Sequence, residues 1–226
     1  MTDSRYDLLC AVLLGVGQLT MFTGFDASSF VVEPVLHSVH DRSPNTIDAH
    51  AGYYGYGSRI LWFAIQHETS SIIRIITPFK LSLVIGSSHF TLYLCSFLYV
   101  HYVPYYVCSG VLGIGYALFY TGHGCYLVEH SSRRTVERNS ALVWGIGTTC
   151  WSFQNLLILQ TAKKRTTITT RLISSVYHLK KNVFFLNSNF LRRLLYGAFA
   201  LISLVSNILF ASMPTRPVKN SLAAIK

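Results

Sequence analysis

An uncharged run that ends at a dense charged connector constrains this chain more than any other feature. Residues 102–127 contain no Asp, Glu, Lys or Arg, and five charged side chains follow within ten residues: Glu129, Arg133, Arg134, Glu137 and Arg138. About 20 apolar residues in a helix cross the ~30 Å hydrocarbon core of a bilayer. The charged side chains belong in water beyond that core. The pattern therefore predicts a transmembrane helix whose carboxyl end reaches a hydrated connector.

The composition extends this prediction to the whole chain. A length of 226 residues would fit roughly one or two soluble domains, but 51% of the residues are hydrophobic and only 12% are charged. The mean hydropathy is +0.39 although parts of the sequence are strongly basic, so the apolar residues must be concentrated in blocks. We expect an all-α fold, a single multi-pass transmembrane helical bundle.

The apolar blocks predict about six transmembrane spans. They are residues 8–25, 52–76, 81–103, 105–127, 141–159 and 194–213. The second span is the least regular, because polar residues begin at Gln66 and charges follow at Glu68 and Arg74. A charge at the centre of a bilayer costs roughly 2.5–3.5 kcal/mol by insertion scales, so those two charges must face protein or water unless the segment is irregular. Between the third and fourth spans we predict a tight turn around Val103 and Pro104.

The placement of arginines predicts the orientation of the bundle, since cytoplasmic connectors are enriched in Lys and Arg. Three arginines place the loop 129–139, which contains the charged connector 129–138, inside. The segment 27–51 contains a single Lys or Arg, Arg42, and is placed outside. The amino terminus is then cytoplasmic, and we expect the first span to stay as a membrane anchor.

The segment 163–189 conflicts with that orientation. It is basic and contains no Asp or Glu, yet the alternation of six helices would place it outside. Either the fifth segment does not cross fully, or this stretch is an atypical insertion. We expect it to contact anionic membrane lipid and to be dispensable for helix packing.

Two sets of residues are candidates for function. Asp26 lies at the mouth of the first span, and with Tyr120 of the aromatic fourth span it would line an intramembrane polar site that binds a cation or a proton. Alternatively, Asp26 lies at head-group level. The five charged residues of the connector either fix topology alone, or set the angle between the fourth and fifth helices and dock on a partner. If the connector continues as a helical turn, spacings of three to five residues bring its opposite charges together.

Other functional classes find little support in the sequence. It has no nucleophile elbow, zinc-binding helix or phosphate-cradling glycine loop, so we predict no catalytic residue, no cofactor and no metal site, and we do not expect an enzyme. The five cysteines lack the close spacing of metal or redox motifs. Nucleic acid is not an expected partner, because the net charge of +10 is concentrated in the basic segment and no nucleic-acid-binding motif accompanies it.

Four blocks of sequence carry a resemblance to a known family. They are MFTGFDASSFVVEPVLHSVH (21–40), HAGYYGYGSR (50–59), GIGYALFYTGHGCYLVEHSSRRTVERNSALVWG (113–145) and RLLYGAFALISLVSNILFASMPTRP (193–217). In this order they resemble the amino-terminal half of the Unc-ninety-three-like family, ion-channel regulatory proteins within the major facilitator superfamily. The third block is the most specific.

The resemblance implies a fold and a function. Members of this family are expected to have twelve spans in two six-helix bundles, whereas this chain has room for one bundle, half of a major-facilitator-type fold, and so resembles a fragment or a truncated product. The implied function is that of a regulatory subunit of a potassium channel complex in the plasma membrane, with two-pore-domain channel subunits as partners. The family leaves open two alternatives: a transporter of a solute or an ion, and an escort for the trafficking of other membrane proteins.

Overall fold

The computed structural model describes residues 3–29, 31–68, 78–150, 152 and 189–215, and the regular structure within these ranges is entirely helical. The helices are α1 (Asp3–Ser29), α2 (Val32–Arg42), α3 (Ala51–Glu68), α4 (Phe79–Ser96), α5 (Tyr102–Glu129), α6 (136–150) and α7 (Asn189–Ser212). The expected all-α class is confirmed for this part of the chain.

Three of the described helices are long and apolar enough to cross a membrane. They are Arg5–Ser29 within α1, Tyr102–Glu129, which is the whole of α5, and Arg192–Ser212 within α7, with mean hydropathies of 1.8, 1.3 and 2.0. These helices contain the first and fourth predicted spans and all but the last residue of the sixth. By length and composition these three helices could span a membrane, while the count of six spans stays a prediction.

The turn between the third and fourth predicted spans lies earlier than expected. α4 ends at Ser96, and the turn occupies 97–101 instead of the neighbourhood of Val103 and Pro104. Pro104 instead lies in the first turn of α5, where the missing backbone N–H of a proline needs no helical partner. His101 caps this helix, because its Nδ1 accepts a hydrogen bond from the backbone N–H of Val103 (3.4 Å).

The second and fifth predicted spans are described only in part. α3 ends at Glu68, and the segment 69–77 lies outside the described residues. α6 begins at residue 136, earlier than the predicted start at residue 141. The rest of the fifth span and nearly all of the basic segment 163–189 also lie outside the described residues.

The antiparallel helices α4 and α5 approach each other through small residues. A Cβ atom added at Gly86 would lie 2.8 Å from the backbone nitrogen of Phe119, and one added at Gly122 would lie 3.1 Å from the carbonyl oxygen of Phe79. The Ser82 hydroxyl donates to the carbonyl oxygen of Leu118 (2.8 Å) across the same contact. Lipid tails are as apolar as leucine, so close packing and interhelical hydrogen bonds of this kind hold membrane helices together.

The remaining helices pack around this α4–α5 pair. α3 packs on α5, α7 packs on both α4 and α1, and α2 touches α1 and α3. α6 lies against α1, where Gly15 faces Ile146 and Gly147 faces Gln18. The described helices therefore form one bundle in which α5 contacts α1, α3 and α4.

Aromatic rings fill the middle of the bundle. Phe25 meets Phe90 edge to face at 5.2 Å between ring centroids, and Phe90 meets Tyr116 at 4.6 Å. Phe22 makes similar edge contacts with Phe90 and Phe119. Such edge-to-face pairs add about 0.5–1.5 kcal/mol each to the free energy of area burial, so the rings fix the relative rotation of α1, α4 and α5.

One end of the bundle, which we call the charged end, consists of the connector 129–138 and the chain segments packed on it. The Tyr126 hydroxyl donates to the carbonyl oxygen of Pro214, just after α7 (2.8 Å). The Tyr6 ring of α1 stacks on His130 with 6.3 Å between centroids. α1 and α6 therefore begin, and α5 and α7 end, at the charged end.

The opposite end, which we call the aromatic end, is built around the turn 97–101. The Nε of Arg193 in α7 donates to the carbonyl oxygen of Leu98 (3.2 Å). The backbone N–H of Tyr102 donates to the carbonyl oxygen of Thr46, which lies between α2 and α3 (3.0 Å). These bonds bring the ends of α2 and α4 and the beginnings of α3, α5 and α7 together.

Candidate functional site

The charged residues predicted as a functional set are gathered at the charged end. Glu129 is the last residue of α5, and Glu137 and Arg138 lie in the first turn of α6. Glu129 is half-buried, and the other four side chains are exposed. The pairing expected for a continuous helical turn does not occur: residues 130–135 interrupt the helix, and these five described residues form no ion pair with one another.

Hydroxyl and amide groups, instead of ion pairs, hold the connector in place. The backbone N–H groups of Thr135 and Val136 both donate to the carbonyl oxygen of Ser132 (3.0 Å each), and the N–H of Ser132 donates to the Thr135 hydroxyl (3.0 Å). The fully buried Asn139 donates its amide to the Ser131 hydroxyl (2.9 Å). The sequence contains a signal for this hydroxyl-rich helix start, because Ser and Thr just before a helix are typical capping residues.

His130 attaches the connector to the bundle. Its ring is buried, stacks on Tyr126 with 4.0 Å between centroids, and donates from Nδ1 to the Tyr126 carbonyl oxygen (3.0 Å). Tyr6 of α1 covers the same ring from another side. The connector is thus fixed at both ends, by His130 and by Asn139, and the charged side chains project from a constrained backbone.

The two residues predicted for an intramembrane polar site lie on neighbouring helices. Asp26 is half-buried near the end of α1, close enough to Tyr120 of α5 for their charges to interact. Tyr120 is 37% exposed and stacks on Trp144 with 6.4 Å between centroids. A third residue, missed at the sequence level, also reaches the carboxylate: the Cys150 thiol points at the Asp26 Oδ2 at 3.9 Å. The same thiol lies nearer to the carbonyl oxygen of Gly147 (3.1 Å), so α1, α5 and α6 bring a carboxylate, a phenol and a thiol into one neighbourhood.

A second buried polar pair links α1 to α5. The Nε2 of His123 lies 2.9 Å from the Oε1 of Gln18, and both side chains are buried. Gly147 of α6 makes room for the pair, because a Cβ there would lie 2.6 Å from the Gln18 side chain. The sequence gives no local signal for this pair, since its members are 105 residues apart.

The aromatic end contains a polar cluster that the sequence interpretation missed. The guanidinium carbon of Arg59 lies over the rings of Tyr93 (5.3 Å), Tyr56 (5.3 Å) and Phe25 (5.8 Å). Around it are buried polar atoms that have no hydrogen-bond partner among the described residues. We call this set the arginine–tyrosine cluster; it consists of Arg59, Tyr93, Tyr105, Ser109, Arg192 and Tyr196.

Each unpartnered group in this cluster costs folding free energy. A buried donor or acceptor without a partner costs about 1–3 kcal/mol, and more when it is charged. Arg59 also lies inside the predicted span 52–76, where a charge is costly in lipid. A lone arginine within an apolar run was the signal that could have led to this cluster from the sequence.

The structure offers no metal site within its described residues. No group of three or more His, Cys, Asp or Glu side chains in those ranges is placed to hold a metal ion.

Comparison with known proteins gives consistent matches along the chain. A family model described as "Ion channel regulatory protein UNC-93" matches residues 43–225. The protein named UNC93-like protein MFSD11 from Xenopus laevis is 27% identical over 217 residues, covering 93% of this chain and 42% of the relative. Its namesake from Xenopus tropicalis is 25% identical with the same coverage. The chain therefore spans about two fifths of the length of these relatives. No solved structure matches it.

Proposed function

Because the chain belongs to the UNC-93 family of ion channel regulatory proteins, we propose that it is a non-enzymatic regulatory subunit of a potassium channel complex. We further propose two-pore-domain channel subunits as the partners and the plasma membrane as the site of action. In this proposal the amino terminus lies in the cytoplasm, together with the charged end. The protein then acts through contact with the channel and carries no solute itself.

The observation that carries this proposal is the combination of exposed charges and a fixed backbone at the charged end. Arg133, Arg134, Glu137 and Arg138 are exposed and form no ion pairs with one another. Exposed ion pairs contribute only ~0.2–1 kcal/mol, so such charges do little for the stability of the bundle. Charges held on a constrained connector are instead suited to electrostatic recognition of a partner's cytoplasmic face.

The six-span arrangement is part of the same proposal. α1 begins at the charged end and α7 ends there, as the contacts of Tyr6 with His130 and of Tyr126 with Pro214 indicate. If both of these helix ends lie on one side of the membrane, the segment from α1 to α7 crosses it an even number of times, which is compatible with the proposed six spans. We propose that these spans form one bundle of a major-facilitator-type fold, equivalent to the amino-terminal half of the longer relatives.

Charge reversal at Arg138 tests the proposed function. We expect Arg138→Glu to leave surface abundance nearly unchanged and to abolish the effect on a coexpressed two-pore-domain potassium channel, measured as current under voltage clamp in the same cells. Arg42→Glu is the matched control, because Arg42 is also exposed but lies on α2, outside the connector. If Arg138→Glu still modulates the channel current at normal surface abundance, the connector serves only to fix the topology.

A transporter is the second candidate, and the Asp26 site is the observation that favours it. A half-buried carboxylate with a thiol 3.9 Å away, inside a helix that can span the membrane, resembles the proton-carrying groups of membrane transporters. If transport is the function, Asp26→Asn abolishes proton-coupled solute uptake into vesicles and leaves channel current unaltered. A regulator gives a different pattern, since neither the wild type nor the variant then shows uptake above the background of protein-free vesicles.

A further inference from the structure

We propose that the arginine–tyrosine cluster is a binding site for a small organic carboxylate. This inference is independent of the channel-regulating function proposed above, because it concerns the opposite end of the bundle and needs no partner protein. It depends on the unsatisfied groups, the geometry of the cluster and the access to it.

The unsatisfied groups identify the chemistry of what is bound. Nine buried side-chain nitrogen or oxygen atoms in the described part of the chain have no hydrogen-bond partner, and six of them belong to this cluster. Two are arginine Nε–H groups, which only donate, and the other four are hydroxyl groups, which can donate. Neither arginine forms an ion pair with a described residue. A set of donors with two positive charges calls for a negatively charged acceptor.

The geometry brings the groups together from four helices. Phe97 packs against the rings of Tyr93 (5.2 Å), Tyr105 (5.6 Å) and Tyr196 (4.4 Å), so the three phenols surround one shared ring. Arg59 of α3 reaches this group through its contact with the Tyr93 ring at 5.3 Å.

The two other members of the cluster flank this group. Arg192 and Tyr196 are four residues apart on α7 and therefore lie on one face of that helix. Ser109 of α5 lies one helical turn beyond Tyr105. The hydroxyls of Tyr93 and Ser109 are both close to that of Tyr105, but none of the three reaches hydrogen-bond geometry with another. Both pairs thus place a further donor beside the phenols.

A carboxylate fits these donors better than other anions. Its two oxygens in a plane match the fork of a guanidinium group, which a spherical halide cannot do. A phosphate dianion loses more hydration free energy on entering a site walled by aromatic rings. The rings of Phe25 and Phe97 offer an apolar surface for a carbon skeleton attached to the carboxylate. These features favour an organic acid with a small apolar group.

The cluster borders an exposed residue of α3. The Tyr56 ring covers the Arg59 guanidinium at 5.3 Å, yet this tyrosine is 59% exposed. Gly55, next to it, packs directly against Tyr105, because a Cβ there would collide with the Tyr105 hydroxyl. We therefore expect a ligand to reach the guanidinium past the Tyr56 ring and not past Gly55.

Benzoate is a suitable probe, and benzamide is its neutral control of the same shape. With the full chain purified in detergent at low chloride, we expect saturable binding of radiolabelled benzoate in equilibrium dialysis and no binding of benzamide. Arg59→Gln should abolish benzoate binding. Arg59→Lys keeps the charge but loses the fork, and should weaken binding at least about tenfold. Arg134→Gln at the charged end makes the same charge change and should bind benzoate normally.

Tyr105→Phe distinguishes a loss of binding from a folding defect. It removes one hydroxyl and keeps the ring, so the fold should survive while benzoate affinity falls about tenfold, which corresponds to about 1.4 kcal/mol. Equal binding of benzoate and benzamide, or unchanged benzoate affinity in both Tyr105→Phe and Arg59→Gln, would overturn the proposal. Displacement of benzoate by chloride or phosphate at equal concentration would overturn the assignment to carboxylates.

Discussion

The charged end and the aromatic end both contain arginines, but the environments of these arginines differ. They are exposed at the charged end, whereas those of the arginine–tyrosine cluster at the aromatic end are half-buried. At the charged end, Arg133 and Arg134 are exposed, and the buried His130 and Asn139 both make hydrogen bonds that hold the connector. At the aromatic end, the buried Nε of Arg59 has no hydrogen-bond partner among the described residues and lies over aromatic rings. Charges that water already solvates are free to recognise a partner's surface, whereas buried donors require something to enter.

The comparison assumes that both ends belong to one rigid bundle. A substitution at the α4–α5 contact tests whether that contact stabilises the bundle. We expect Gly86→Val to lower stability by about 3 kcal/mol, because its Cβ would lie 2.8 Å from the Phe119 backbone nitrogen, which cannot move aside. A large fall in the apparent Tm in detergent is the readout. Gly124→Val is the control, since a Cβ there meets nothing within 4 Å. Equal Tm values for the two variants would show that the close contact does not hold the bundle.

The charged end can be loosened separately through Asn139. Asn139→Ala removes the buried amide that donates to Ser131 (2.9 Å), and we expect a loss of about 2 kcal/mol. Limited trypsin digestion should then cut faster after Arg133 and Arg134, while the Tm changes less than for Gly86→Val. Glu137→Ala, at an exposed position of the same end, should digest like the wild type. An unchanged rate in Asn139→Ala would mean that the amide does not constrain the connector.

The smallest expected effect compares the two ends directly. Replacing Tyr by Phe should lower the thermal stability at the charged end, and should leave it unchanged or raise it slightly at the aromatic end. Tyr126→Phe removes a hydroxyl that donates to Pro214 (2.8 Å), so we expect a loss of about 1 kcal/mol. Tyr105→Phe removes a buried hydroxyl without a partner, so the ligand-free protein should keep or slightly raise its Tm. Parallel thermal melts check both variants. A fall of equal size in both would contradict the distinction between the ends.

The sequence predicted where the helix before the connector ends, because charge density and apolar length are local properties. The uncharged run became α5, and Glu129 lies at its last residue as the pattern indicated. Pro104 misled the prediction of the turn, since a proline is as compatible with the first turn of a helix as with a connector. The opposite-charge pairing was also wrong, because Ser132 and Thr135 end the helical register that the pairing required.

The aromatic end was harder to predict because its polar groups come from four separate helices. Arg59 and Arg192 are far apart in the chain, and tyrosines in apolar segments are indistinguishable from core or interface residues by spacing alone. The proximity of Asp26 to Cys150 has the same origin, since only the packing of α6 on α1 brings them within 3.9 Å. Local patterns predict elements and their ends, whereas such contacts follow from packing.

The central claim is that the charged end contacts a channel and the aromatic end does not. Site-specific photocrosslinking tests it most directly, with a benzophenone side chain introduced at Arg138 in one variant and at Tyr99, an exposed residue of the turn at the aromatic end, in another. In cells that coexpress a two-pore-domain potassium channel, we expect the probe at position 138 to crosslink to the channel subunit and the probe at position 99 to give no such product. Crosslinking to the channel from position 99 but not from position 138 would contradict the account.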